Sequence, residues 1–439
     1  MHKKTAVIGY GVTGRSAVRH LLAHGVTPVI IDTRPEPSDF PSELRSLECH
    51  WQTEGWPDIA VERAILSPGL SMDSCLVTAA RAAGVTLLSD IDEFFEHVRS
   101  PVIGITGTNG KSTVTSLVGH ILRQAGITVA VGGNLGEAAL DLLDPQVDVY
   151  VLELSSFQLQ RSRVHEFAAA TVLNISADHL DLHGTMDDYV AAKKRIYERS
   201  RLVVYNRDDD ATWATGSCRS IGVGLNAPDL QQEWGLVNAG GETWIACGTQ
   251  RLCRTSELPL GGKHNILNTM FACALVQDRV EPARAMRLAL SFRGLAHRFE
   301  LVRRRHGVDY VNDSKATNVG ATQAALAGFT TENVVLIGGG DAKGADLAEL
   351  EPYLKGRVRQ LVAIGRDGEQ LAGVAESAGI AVCVAQSMRE AVDVAARVAE
   401  PGDTVLLSPA CASLDMYENY QARGDEFRDA VNDLDGIDV

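Results

Sequence analysis

Gly104-Ile105-Thr106-Gly107-Thr108-Asn109-Gly110-Lys111-Ser112-Thr113 follows the apolar run Pro101–Ile105 and opens a helical run at Ser112–Gln124. Strand, glycine-rich turn, lysine, hydroxyl pair and helix is the layout of a phosphate-binding loop. The glycines let backbone N–H groups close on phosphate oxygens, and the helix N-terminus adds partial positive charge. Lys111 is expected to reach the outer phosphates, and a hydroxyl of Ser112 or Thr113 to hold Mg²⁺. Ile105 stands where the strict pattern G-x-x-x-x-G-K-[ST] has its first glycine. A glycine-rich turn with a surface lysine is the plainer alternative; the fuller pattern favours ATP.

Around this loop the chain is long and ordinary in composition. Its 439 residues exceed one core, and about three domains are expected. Hydrophobic residues make up 45% and charged residues 22%, with no low-complexity tract. Lys+Arg of 41 against Asp+Glu of 56 leaves a net charge of −15, which argues against nucleic acid or an anionic membrane as main partner. Eight cysteines show no C-x-x-C spacing and read as reduced thiols. Met1-His2-Lys3-Lys4 leads straight into a strand, and no apolar run reaches membrane-spanning length. A cytoplasmic monomer is expected.

N-terminal to the loop, Thr5–Ile8 reads as a strand, Gly9-Tyr10-Gly11-Val12-Thr13-Gly14 as a glycine turn, and Pro28–Ile31 as a second strand ending on Asp32-Thr33-Arg34. This G-x-G-x-x-G with a following acid predicts a Rossmann-like unit without naming its ligand. An NAD oxidoreductase and a nucleotide-sugar diphosphate site both fit. Arg34 suits a phosphate or water. The strand Arg63–Leu66 breaks at Ser67-Pro68-Gly69, where open α/β sheets bind ligands.

C-terminal to the loop, the strand Val147–Leu152 delivers Glu153, placed like a Walker B acid for Mg²⁺. Ala170–Ile175 empties into Asn174-Ile175-Ser176-Ala177-Asp178-His179, with Asp181 and His183 close by. The helix Met186–Glu198 carries Lys193, Lys194 and Arg195, by themselves a solvated face. Residues 200–260 read as strands and turns without evident chemistry. Gly261–Asn268 starts a helix. A further alternation of strands and helices begins near residue 296: Val308–Asn312, Asn333–Gly338, Arg359–Ile364, Ile380–Val384 and Asp403–Ser408. This is a second doubly wound pattern. Polar clusters at Asn312–Asn318, Gly338–Lys343 and Ser408–Ser413 should share one rim and form a small-ligand site. The expected domains are therefore 1–92, 93–295 and 296–439, all α/β: a Rossmann-like substrate domain, a central P-loop ATPase domain and a C-terminal Rossmann-like domain.

Together these residues resemble the Mur ligases over essentially the whole chain. Gly107–Thr113, Glu153–Gln158, Asn174 with Asp178-His179, and His264-Asn265 with Asn268 follow the family's motifs in order. Asn312–Asn318 and Ser408–Ser413 resemble its D-glutamate-adding branch, and the Asn-Pro-Arg motif of the diaminopimelate-adding branch is absent. The resemblance implies an ATP-dependent amide ligase joining D-glutamate to UDP-N-acetylmuramoyl-L-alanine through an acyl phosphate, in cytoplasmic peptidoglycan precursor synthesis. It implies UDP contacts at Val12, Thr13, Asp32, Thr33, Arg34, Ser67, Pro68 and Gly69, with Asn134 and His179 at the muramoyl-alanine end. Gly107, Thr108, Asn109, Gly110, Lys111, Ser112 and Thr113 would hold ATP, joined by Asn268, Arg298 and Asp313. Two Mg²⁺ ions are implied, one on Ser112 and Glu153, the other on His179 and Lys193, with Lys193 carbamylated by CO₂. Lys111, His179 and Lys193 would be catalytic. Lys315, Thr317, Lys343, Ser413 and Tyr420 would frame the glutamate; relatives typically carry Phe where Tyr420 stands. A site spread over three domains implies closure about hinges near 92 and 296. A folylpolyglutamate synthase is the alternative within ligases, and residues 1–92 argue against it.

Overall fold

The computed structural model describes residues 4–178, 183–214 and 219–434. Three sheets organise them. The first has the order β3-β2-β1-β4-β5, all parallel, from β1 (Thr5–Ile8), β2 (Pro28–Ile31), β3 (Cys49–His50), β4 (Arg63–Leu66) and β5 (Thr86–Ser89). Every residue of β1 and β2 is buried, as a parallel strand covered on both faces requires. Helix α1 (Val12–Ala23) leaves the glycine turn, with Gly14 pressed on it: a Cβ there would lie 1.9 Å from the Gly9 carbonyl oxygen. Helices α2 (Cys75–Ala82) and α3 (Asp90–His97) follow. A Ser89/Asp92 capping box starts α3, and Asp92 also accepts from the Arg163 N–H and His165 Nε2, both at 2.7 Å. The segment leading out of the first sheet is thereby pinned to the second.

The second sheet contains β6 (Val102–Thr106), β7 (Val129–Gly133), β8 (Val149–Glu153), β9 (Ala169–Val172), β10 (Leu202–Asn206), β11 (Arg219–Val223), β12 (Trp234–Ala239), β13 (Glu242–Cys247) and β14 (Gln250–Arg254). Its order is β14-β13-β12-β11-β10-β9-β6-β8-β7. Pairing is parallel from β7 to β12 and antiparallel through β13 and β14. The change of direction is made by Gly240-Gly241, both at positive φ, as a two-residue hairpin loop demands. Helices α4 (Lys111–Gln124), α5 (Ser156–Arg161), α6 (Met186–Lys194), α7 (Lys263–Val276) and α8 (Pro282–Ala289) accompany this sheet. Residues of both sheets share one core, with Val7, Ile30, Phe94, Tyr150 and Leu152 in a single cluster. The described residues of Met1–Arg254 and Asn268–Ala289 form one compact unit, and those of Thr255–Leu267 and Leu290–Val439 form another.

That second unit holds β15 (Glu300–Arg305), β16 (Val308–Asn312), β17 (Val334–Gly339), β18 (Val358–Ile364), β19 (Ala381–Val384) and β20 (Thr404–Leu407), in the order β15-β16-β20-β17-β18-β19. Helices α9 (Val319–Leu326), α10 (Glu351–Leu354), α11 (Gly368–Ser377), α12 (Met388–Val398) and α13 (Tyr420–Asn432) accompany it. β15 is antiparallel to β16 and escapes the sequence pattern. Its run Arg303-Arg304-Arg305 looks like loop, but an edge strand tolerates charge: the Arg304 Nη2 pairs with Asp309 Oδ2 at 2.9 Å. His306-Gly307, both at positive φ, make the turn. No helix among the described residues is long and apolar enough to cross a membrane.

Candidate active site

The glycine loop joins β6 to α4, and its neighbours follow from sheet order. β6 lies between β8 and β9, with Ile105 in register with Glu153 and Thr106 with Val172. The carboxyl ends of three strands therefore meet at the loop, where an open parallel sheet binds ligands. Gly107 and Gly110 take φ of +153° and +81°; a Cβ on Gly110 would sit 2.7 Å from the Asn268 Oδ1. Asn268 is thus brought against the loop.

Asn174, at the end of β9, clamps the loop from the other side. Its Oδ1 accepts the Asn109 N–H at 2.8 Å, its Nδ2 donates to the Asn109 carbonyl at 3.0 Å, and its own carbonyl accepts the Thr108 N–H at 2.9 Å. Thr108 Oγ1 accepts the Ser176 N–H at 3.0 Å and lies 3.1 Å from the Tyr189 hydroxyl. Replacing Asn174 by Ala removes both side-chain bonds while leaving the strands intact. The KM for ATP is expected to rise about tenfold, equivalent to about 1–2 kcal/mol, with a smaller change in kcat; steady-state kinetics check this.

Two lysines converge on the Gly107 carbonyl. Lys111 Nζ donates to it at 2.9 Å and to the Thr108 carbonyl at 2.7 Å. Lys193 Nζ donates to it at 2.9 Å and lies 4.5 Å from the Tyr189 ring centroid. Lys193 is 2% exposed. Burial, and then the charge of Lys111, push its pKa down to about 6 against the opposing pull of Asp178 and Glu153. The uncharged amine is consequently favoured near neutral pH. Because this pKa is depressed on folding, the unfolded chain binds more protons between about pH 6 and 10.5, and stability rises with pH across that window. Lys193→Met should therefore raise Tm most near pH 6 and progressively less toward pH 10, measured by thermal unfolding in CO₂-free buffer.

Glu153 ends β8 and is 2% exposed. Its Oε1 accepts from Asn134 Nδ2 at 2.8 Å, while Oε2 is buried without a hydrogen-bond partner. A buried carboxylate oxygen without a donor leaves a ligand position that a cation can take. With the buried Ser112 hydroxyl at the start of α4, the donor set is all oxygen and fits Mg²⁺. Asn134, expected at the muramoyl-alanine end, is held on the acid itself. His179 lies outside the described residues, as does Asp181. His183, beside it, is stacked on Phe157 at 4.9 Å and lies 2.9 Å from the Ser156 hydroxyl.

At the edge of the first sheet, Asp32 uses its acceptor positions inside the protein. It receives the Tyr10 N–H at 2.6 Å, the Arg34 N–H at 2.8 Å and two bonds from the Arg34 guanidinium. It holds the glycine turn and Arg34 in place, leaving the exposed guanidinium face, Thr33 and Val12 outward. Ser67 is packed under Gly9, where a Cβ would approach its Cβ to 2.8 Å. The Pro68 carbonyl accepts from Arg161 Nη1. A cavity of about 290 Å³ opens here, lined by Leu66, Met72, Arg81, Ser89 and Arg161 among others.

In the second unit the polar clusters do share a rim. Asp313 follows β16; its carboxylate accepts the Phe299 N–H at 3.1 Å and the Ser408 hydroxyl at 3.0 Å, which brings Arg298, the residue before Phe299, near it. Desolvation raises its pKa to about 7, opposed by those bonds and by Arg298. Lys315 Nζ lies 4.3 Å from the Tyr420 ring centroid, and Ser314 Oγ donates to the Tyr420 carbonyl at 2.8 Å. Thr317 N–H donates to the Lys315 carbonyl at 2.8 Å. Lys343, at φ +52°, sits on the Asp341 turn, and Asp341 bridges Ala412 next to the buried Ser413. Arg423 organises this rim and carries no sequence signal. It is 1% exposed, donating to Ser314 Oγ at 3.0 Å, the Ser314 carbonyl at 2.8 Å and the Cys411 carbonyl at 3.1 Å.

Residues 3–89 match the Mur ligase MurD-like N-terminal domain, 105–276 the Mur ligase middle domain and 297–411 the Mur ligase glutamate ligase domain. The chain is 44% identical to the UDP-N-acetylmuramoylalanine–D-glutamate ligase of Shewanella oneidensis and 41% identical to that of Pectobacterium atrosepticum, covering 98% of this chain and of each relative. The crystal structure of the MurF ligase from Thermotoga maritima in complex with ADP shares the fold at a TM-score of 0.58 and 16% identity, over 98% of this chain and 95% of that one. Three family-model matches that together span most of the chain, and relatives 41–44% identical over 98% of it, establish that the chain is a ligase and belongs to the Mur ligase family.

Proposed function

We propose that the protein joins D-glutamate to UDP-N-acetylmuramoyl-L-alanine, converting ATP to ADP and phosphate, as a cytoplasmic monomer in peptidoglycan precursor synthesis. The substrates are those in the names of relatives aligned over 98% of both chains. The observation that carries the chemistry is the pairing, beside one phosphate loop, of a buried acid with an unpartnered oxygen and a buried lysine held on the Gly107 carbonyl. Arg34 and the loops at Val12-Thr13 and Ser67-Pro68-Gly69 would hold the UDP portion, with Asp32 fixing their geometry.

A carboxylate is a poor electrophile, so its oxygen first takes the γ-phosphoryl group of ATP, giving an acyl phosphate and ADP. The glutamate amine then attacks the acyl carbon, and phosphate leaves. The first step brings two anions together and needs positive charge fixed in place beforehand. Lys111, now on the loop's own carbonyls, would turn to the phosphates, with Asn174 keeping the loop N–H groups aligned. Glu153 and Ser112 would hold one Mg²⁺, which supplies charge neutralisation when bound. The Lys193 amine, when unprotonated, would have the lone pair to add CO₂ with release of a proton to solvent, and the resulting carbamate with His179 would hold a second Mg²⁺, which would supply further charge neutralisation. Lys315, Thr317, Lys343, Ser413 and Tyr420 would receive the glutamate, and Asn268, Arg298 and Asp313 the nucleotide.

Phosphate release with UDP-N-acetylmuramoyl-L-alanine, ATP and Mg²⁺, screened across amino acids, tests this. D-glutamate alone should support release. Equal release without any amino acid, or with L-glutamate in its place, would overturn the assignment.

A further inference from the structure

We infer that His20, His24 and His97, with Glu93, bind one divalent transition-metal ion of the zinc class, at a site separate from the phosphate loop. His20 lies in the last turn of α1 and His24 is the C-cap that follows it, its N–H still donating to the His20 carbonyl, while Glu93 and His97 lie four apart on α3, so each end brings a pair of donors to the same side. One ring nitrogen from each of the three histidines lies within 4.8 Å of the others. Glu93 Oε1 is 3.6 Å from His20 Nε2 and 3.4 Å from His97 Nε2. Donors of a tetrahedral zinc site stand about 3.4 Å apart, so modest ring rotations by exposed His24 and half-buried His97 would close the set.

Two further observations point to a ligand. His20 is 7% exposed, and its Nε2 has no hydrogen-bond partner within 3.5 Å, facing Glu93 Oε1 at 3.6 Å. His24 Nδ1 lies 2.8 Å from the His20 carbonyl. A carbonyl can only accept, so that Nδ1 carries the proton and Nε2 keeps its lone pair, the arrangement typical of metal-ligating histidines. Arg63 pairs with Glu93 through Oε2, which orients the carboxylate and leaves Oε1 toward the rings. Three imidazoles and one carboxylate suit Zn²⁺, Co²⁺ or Ni²⁺ and not Mg²⁺, so the ion used with ATP would not compete. Occupancy would tie α1, which leaves the glycine turn, to α3, which carries the chain toward the second sheet.

Chelator-stripped full-length protein, without ATP or Mg²⁺, should be titrated with ZnCl₂ by calorimetry and with CoCl₂ by visible absorption. One equivalent should bind, with a tetrahedral Co²⁺ band. His24→Ala/His97→Ala should keep its Tm in chelator yet bind Zn²⁺ at least about tenfold more weakly and lose the band. Undiminished binding by that variant would place the ion on other groups and overturn the inference. Failure of the unaltered protein to bind either metal at micromolar concentration would do so equally.

Discussion

Replacing Lys193 by alanine is expected to lower ligase turnover by about a hundredfold to a thousandfold, the scale of losing one preorganised charge-stabilising group. The side chain is nearly inaccessible, touches the Gly107 carbonyl and has its pKa pushed down to about 6 by burial. An amine kept only as a cation for phosphate would not be held in a setting that removes its charge. Under the proposed function, a lone pair available to CO₂ would account for the burial. The alanine variant leaves a slot the size of the missing chain, so acetate or propionate in the assay should restore part of the activity, and chloride at the same ionic strength should not. Normal turnover in the variant would exclude the metal-ligand role. A loss that no small acid rescues, joined to a fall in Tm, would reduce Lys193 to a structural strut between α6 and the loop.

The second large effect is expected at Glu153. Glu153→Gln keeps shape and an oxygen that can accept from Asn134, so folding should be unaffected, while the charge on the unpartnered side is lost. We expect kcat/KM to fall about a hundredfold to a thousandfold, with a higher Mg²⁺ concentration needed for half-maximal rate. Titrating Mg²⁺ at fixed ATP separates the outcomes. A variant with unchanged Mg²⁺ dependence would show that the acid serves only to anchor Asn134.

The phosphate loop, the acid at a strand end and the glycine fingerprint were legible because each is local: a few residues of fixed type at fixed spacing, beside an apolar run. The edge strand β15 was not, since Arg303-Arg304-Arg305 contradicts strand composition and is tolerated only because one side of an edge faces water. Asp32 was legible as the fingerprint acid, yet its bonds to Tyr10 and Arg34 depend on how the turn closes. The lysines on α6 show the limit most clearly. Helical spacing separates Lys193 from Lys194, and the family resemblance selects the former, but composition alone reads both as solvated.

By itself, then, the sequence determined three α/β domains, a nucleotide loop and the family, because strand and helix periods, turn glycines and motif spacings are written along the chain. Only the tertiary structure decided that β6 lies between β8 and β9, setting Glu153 and Asn174 on either side of the loop. It alone buried Lys193 against the loop, made Arg423 a buried clamp and brought together four donors from the end of α1 and from α3. Burial and long-range pairing create those properties, and neither is a property of a residue or of its neighbours in sequence.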